Sequence, residues 1–246
     1  MKERYSLIDG VRGLTVISMV LYHFSFDVFI LQGFDPGWRS IPAIHIWQQS
    51  ICWTFILISG LSWHLGSHRL RNGLIINACG ILVTVVTLIA EPQEAIWCGV
   101  LTLLGCSLLL ATEMKPLLEK IPAIPGAVVS FVLFLLTRDV QIGLFGIRGL
   151  WTARLPAALY ATPWLTILGF PGQGFYSSDY FPLLPWLFLY LTGLFAGRLI
   201  LKEPAKALYR KIPVLDWFGR HSLIIYMAHQ PVAMVVSVGV AWVMGR

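Results

Sequence analysis

Arg12 and His23 stand eleven residues apart in the first apolar stretch of the chain, RYSLIDGVRGLTVISMVLYHFSFDVFILQG. In a helix that spacing is about three turns, so the two side chains share one face, roughly 16 Å apart along the axis. Asp9 precedes Arg12 by three residues and Asp27 follows His23 by four, which puts both close to the same stripe. Ionisable groups inside a membrane-length segment are costly and normally face a protein interior or a wet cavity. Imidazole titrates near neutrality and can take a proton from an attacking hydroxyl or amine. Asp27 is spaced to orient or charge-stabilise that imidazole. Arg12 suits a phosphate or carboxylate, or the neutralisation of Asp9, and the sequence leaves both open. A buried polar network that only sets helix register is the structural alternative.

Three further groups carry polar chemistry. In WTFILISGLSWHLG, Ser59 and Gly60 permit close helix approach, and Trp63 and His64 precede His68, Arg69 and Arg71. That end suits either an anionic cofactor or an interfacial tryptophan–basic anchor. In SSDYFPLLPWLFLYLTGLFAGR, Asp179 and Tyr180 stand before Pro182 and Pro185. Proline frees backbone carbonyls, so an irregular helix start lining something polar is expected. In WFGRHSLIIYMAHQPV, His221 opens the last apolar segment, and Tyr226 precedes His229 and Gln230 by about one turn. A hydrogen bond between helices explains His229 as readily as a site does.

These residues need elements to hold them. Of 246 residues, 57% are hydrophobic and 12% charged, and mean hydropathy is +0.74. Soluble domains carry about a quarter charged residues. The expected fold class is therefore all-α: a polytopic transmembrane helix bundle of 7–8 spans, forming a single integral-membrane domain over 1–246. Apolar runs place spans near 6–32, 46–66, 73–90, 94–112, 122–137, 182–201 and 221–243. Region 139–181, with prolines through LPAALYATPWLTILGF, reads as an eighth span, a dipping hairpin or a non-spanning external piece. The first stretch is too long and too polar for a cleavable signal peptide.

The net charge of +6 comes from basic residues clustered in short loops, including Arg198, Lys202, Lys206, Arg210, Lys211 and Arg220. Such clustering sets topology, with these loops and the N-terminus in the cytoplasm and 139–181 outside. It does not point to nucleic acid. Cys52, Cys79, Cys98 and Cys106 lack metal-type spacing and read as packing residues. No metal is expected.

With these residues assembled, the chain resembles known membrane acyltransferases. LIDGVRGLTVISMVLYHF is similar to the first helix of the acyltransferase-3 proteins, in which Arg, ten residues, then His recur, as Arg12 and His23 do here. FILISG resembles their second helix. GVLTLLG at 99–105, DYFPLLPW at 179–186 and GRHSLIIYMAHQPV at 219–232 resemble bacterial relatives of heparan-alpha-glucosaminide N-acetyltransferase.

The resemblance implies a transmembrane acyltransferase fold and acetyl-CoA, or another acyl-CoA, used from the cytoplasmic side. It also implies a hydroxyl or amino acceptor, typically of a sugar, on the far side. His23 is then the catalytic histidine and Arg12 its pair, with Asp27 beside them. His64, Arg69, Arg71 and Arg198 are the expected contacts of the cofactor. Asp179, Tyr180, His229 and Gln230 are those of the acceptor. Arg138, Arg148 and Arg154 suit an anionic glycan or lipid head-group, or are ordinary surface charges.

Two departures stand out. The spans are fewer than the ten usual in acyltransferase-3 proteins, and Thr102 occupies a position where relatives of the heparan enzyme often have His. The expected partners are the lipid bilayer and a glycan or other extracytoplasmic acceptor, with a homo-oligomer left open. The expected location is the bacterial inner membrane. The rival reading is a proton-coupled transporter or channel using the stripe as an ion path, although no inverted halves are visible. A structural or assembly protein is the second rival.

Overall fold

The computed structural model describes residues 4–245. They are mostly helical: α1 Ser6–Phe26, α2 Pro42–Ser62, α3 Arg69–Ala90, α4 Val100–Glu113, α5 Lys115–Leu118, α6 Ala123–Thr137, α7 Leu183–Ile200, α8 Pro213–Arg220 and α9 Ser222–Val243. A hairpin of β1 Leu144–Ile147 and β2 Trp151–Arg154 lies between α6 and α7.

Among the described residues, five helical stretches are long and apolar enough to cross a membrane: Ser6–Leu31, Arg69–Ala90, Ala123–Ile142, Leu183–Ile200 and Ser222–Val243. Two other expected spans look different in the structure. Helix α2 is long enough, but His45, Gln48, Gln49 and Ser50 make its first half polar. The stretch expected at 94–112 is helical only from Val100, giving 14 residues, or about 21 Å against roughly 30 Å of hydrocarbon. The backbone before Val100 is instead bound to residues 177–181: Ser177 Oγ accepts from Trp97 N–H, and Phe181 N–H donates to the Cys98 carbonyl at 2.9 Å.

Region 139–181 contains 3-10 turns and an antiparallel hairpin with register Leu144↔Arg154 to Ile147↔Trp151, and no α-helix. Irregular backbone is not tolerated against lipid, so this region does not supply an eighth helical span. Helix α7 begins irregularly, as its prolines require: Leu184 is extended at φ −95°, ψ 126°.

The chain packs as two compact units. The first is the chain up to Phe55 together with Pro204 onward, and the second is Ile56–Glu203. In the first unit α1 lies along α8 and against α9. Gly13 and Gly219 make the α1–α8 approach possible. A Cβ on Gly13 would overlap the Leu215 carbonyl, and one on Gly219 would overlap the Asp9 carbonyl. An aromatic core closes the other end. Tyr22 stands 5.5 Å from Trp38 and 5.4 Å from Trp47, and the Trp47 indole donates to Ser18 Oγ at 2.7 Å. In the second unit α3 packs on α4 and α6 on α7, around Phe134, Leu189, Tyr190, Leu194 and Phe195.

The glycine contact generates the first prediction. Gly219→Val should lower stability by about 1–3 kcal/mol through overpacking. Gly239→Val should stay within about 0.5 kcal/mol, because no atom lies within 4 Å of a Cβ there. Thermal unfolding in detergent, followed by circular dichroism, checks the difference.

Candidate active site

Helix α1 carries polar groups at both ends, and the first unit treats them differently. At the N-terminal end the buried Asp9 carboxylate accepts from Arg12 Nη1 at 2.9 Å and from Arg4 Nε at 2.5 Å. A carboxylate in the first turn also suits the positive end of the helix dipole. Arg12 is thus engaged with Asp9, with 19% of its side chain exposed. Asp216 on α8 is buried against α1: its Oδ2 accepts from Ile212 N–H at 3.3 Å, and its Oδ1, which would lie 3.3 Å from a Cβ on Gly10, has no hydrogen-bond partner among the described residues.

At the far end of α1 the helix widens into a π-turn, Asp27–Leu31. Such turns are uncommon and concentrate at functional sites. Asp27 is fully buried, and Gln230 Nε2 donates to both its oxygens, at 3.0 and 3.3 Å. One residue earlier on α9, the His229 ring stands 4.8 Å from the His23 ring at 62°. Tyr22 meets His23 edge-on at 5.7 Å, and Tyr226 lies 5.2 Å from His229. Four expected site residues, His23, Asp27, His229 and Gln230, therefore form one cluster. Arg12 belongs to a second cluster about three turns away on the same helix.

The remaining expected residues lie in the second unit, in structural hydrogen bonds. His64 Nε2 lies 2.8 Å from the Leu194 carbonyl. Arg69 Nε donates to the Trp63 carbonyl at 2.8 Å, with its guanidinium 4.0 Å over the Trp63 ring. Arg198 donates to the Ile121 carbonyl at 2.8 Å and the Leu118 carbonyl at 3.0 Å, tying α7 to the turn before α6. Arg71 is exposed.

Asp179 and Tyr180 belong to a clasp. Asp179 Oδ2 accepts from Val100 N–H at the start of α4, at 3.5 Å. Tyr180 O–H donates to the Thr166 carbonyl at 2.5 Å. Ser178 O–H donates to the Glu94 carbonyl at 2.7 Å. Arg148 is paired with Asp139 through two hydrogen bonds of 2.6 and 2.7 Å. No group of three or more potential metal ligands occurs among the described residues.

Sequence reasoning passed over Tyr22 and Asp216. Tyr22 directly precedes His23, and that adjacency was the available signal. Asp216 sits one turn before Arg220 in a short amphipathic segment, and its burial was not visible from composition.

These features define an integral membrane helix bundle with paired ionisable groups on its first helix. The family model described as heparan-alpha-glucosaminide N-acetyltransferase, catalytic, matches residues 4–231, and the chain belongs to that family of membrane acetyltransferases. Neither a curated protein nor a solved structure matches it.

The clasp generates the second prediction. Burial pushes the Asp179 carboxyl up to about 6, against the smaller lowering effect of the Val100 N–H. A carboxyl raised in the folded state favours folding while protonated, and that contribution is lost as pH rises through about 6. Asp179→Asn keeps an acceptor for Val100 and cannot ionise. It should therefore remove the fall in stability expected of wild type from pH about 4 to 6, measured as melting temperature against pH.

Proposed function

We propose that this protein is an acyl-CoA-dependent membrane acyltransferase, which passes an acetyl or other acyl group to a hydroxyl or amino group of an extracytoplasmic sugar. The observation that carries this reading is the cluster at the end of α1. His23 meets His229 on α9, and Asp27 and Gln230 bind each other beside them, all within the stretch the family model matches. A generic apolar bundle needs no such set of groups.

His23 is the proposed base. It takes the acceptor's proton during attack on the thioester, or carries the acyl group itself as a covalent intermediate. Asp27 and Gln230 hold the end of α1 and the facing turn of α9 in register, and His229 and Gln230 face the acceptor. Arg12, bound to Asp9, is the charged group nearer the N-terminal end. The proposed contacts for the phosphates of CoA are the basic residues Arg69, Arg71 and Arg198, with His64. The exposed Arg71 is best placed to meet a solvent-borne anion. Asp179 and Tyr180 are proposed on the acceptor side, at the mouth of α7.

The clustering of basic residues in loops supports a cytoplasmic N-terminus in a bacterial inner membrane. It also supports α2 and α4 as further membrane-embedded helices, completing seven. The acceptor is proposed to be a glycan.

The test uses purified protein with acetyl-CoA as donor and glucosamine as trial acceptor, following release of the CoA thiol. His23→Ala should lower kcat by about 10²-fold or more, with KM for acetyl-CoA little changed. Full activity in that variant would remove His23 from the mechanism. Acetyl-CoA at about 100 times its Kd should also stabilise the protein by about 2.7 kcal/mol. No thermal shift at saturation would count against the enzyme reading altogether.

A further inference from the structure

The tautomer of His229 is set by its surroundings. Its Nδ1 lies 2.5 Å from the Tyr226 carbonyl oxygen. A carbonyl only accepts, so Nδ1 carries the hydrogen, and in the neutral ring Nε2 is a bare lone pair. That atom is buried and has no hydrogen-bond partner among the described residues, on a residue only 8% exposed. A histidine kept solely to link helices would spend both nitrogens. This one spends Nδ1 on its own helix and leaves a buried acceptor without a partner, on a ring whose centroid lies 4.8 Å from that of His23. Unpaired buried acceptors are costly and uncommon, so each calls for an explanation.

We propose that His229 is the proton-holding partner of His23, the two imidazoles carrying one proton between them during acyl transfer. This rests on the acyltransferase reading above. Two imidazoles in ring contact in a water-poor interior disfavour double protonation, because each positive charge opposes the other.

Asp9 and Arg12 lie at the far end of α1, and Lys206 and Tyr209 on a turn packed against that helix; other titratable and charged groups lie on the elements around the pair. Tyr22 on α1 touches His23, and Asp27 on the π-turn is bound by Gln230. Tyr226 on α9 touches His229. Arg39 stands 6.0 Å over the Phe26 ring. His45 is on α2, and Asp216, Arg220 and His221 lie where α8 meets α9.

In the proposed step the acceptor oxygen or nitrogen attacks the thioester carbonyl carbon. A new O–C or N–C bond forms, the C–S bond breaks, and its electron pair leaves on sulfur. The acceptor's proton enters the imidazole pair, where Nε2 of His229 is the prepared lone pair. The same proton then passes to the thiolate, giving the CoA thiol and returning both rings to neutrality.

His229→Gln tests this. A glutamine oxygen reaches the position of Nε2 and accepts a hydrogen bond, but takes up no proton near neutral pH. With acetyl-CoA and glucosamine as probes, kcat should fall by about 10²-fold and its pH profile should be displaced, with KM for acetyl-CoA within about twofold. A His229→Gln variant with the wild-type kcat and pH profile overturns the proposal.

A second measurement does not depend on turnover. Nitrogen NMR of labelled histidines in the detergent-solubilised protein should show His23 and His229 titrating as a coupled pair that takes up one proton. In His229→Gln, His23 should titrate as an isolated group. A His23 titration unchanged by that substitution overturns the pairing, even in an active enzyme. A coupled titration in a wild-type protein that releases no thiol from acetyl-CoA overturns the acyltransferase reading instead.

Discussion

The first unit is organised by the cost of placing a charge in a medium that cannot solvate it. Asp9 and Asp27 lie on the first apolar stretch, and both are buried. Neither can stay ionised there without partners. Asp9 finds Arg4 and Arg12 on its own side of the chain. Asp27 finds Gln230, on α9, more than two hundred residues later in the sequence. That long-range bond fixes which turn of α9 faces the end of α1. It is therefore also what brings His229 to His23. The glycine pair Gly13 and Gly219 acts at the other end, letting α8 come close enough to shield the Asp9 carbonyl region. Polar pairing chooses the register, and small residues permit the distance.

Much of this was legible in the sequence because it is local. The Arg12–His23 stripe follows from helix periodicity alone. The irregular start of α7 follows from Pro182 and Pro185. Prolines and polar residues through 139–181 left several readings open, and the hairpin with its 3-10 turns removes the helical eighth span from among them. The candidate site was half legible: His23 and Asp27 could be placed on one face of one helix, and His229 and Gln230 could be flagged, but only as neighbours of each other.

What was not legible is pairing across distance. Hydropathy reports the transfer cost of a segment and nothing about which other segment takes its backbone hydrogen bonds. The loop before Val100 is apolar enough to extend a span, yet Ser177, Ser178 and Asp179 bind it some eighty residues later. The helix consequently starts late. The same blindness affected the arginines. Arg198 looks like a loop cation by position, but its two terminal nitrogens serve the Ile121 and Leu118 carbonyls. A basic residue near a membrane surface is a ligand contact, a topology signal or a carbonyl cap, and only geometry separates the three.

Each end of α1 lies beside one buried polar atom that has no hydrogen-bond partner among the described residues: Oδ1 of Asp216 near Gly10, and Nε2 of His229 near His23. At the Arg12 end the carboxylate of Asp9 is met by two guanidinium groups, an arrangement sufficient for a stable fold. At the His23 end the Gln230 amide serves both oxygens of Asp27, and the neighbouring histidine of α9 is held in one tautomer, its remaining nitrogen without a hydrogen-bond partner among the described residues. Proteins tolerate such a defect chiefly at functional sites, which supports the role proposed for His229. A ring whose tautomer is fixed and whose lone pair is free is already prepared to receive a proton, so the structure need not reorganise when one arrives. The backbone carbonyl of Tyr226, which does no chemistry itself, is what makes that preparation permanent.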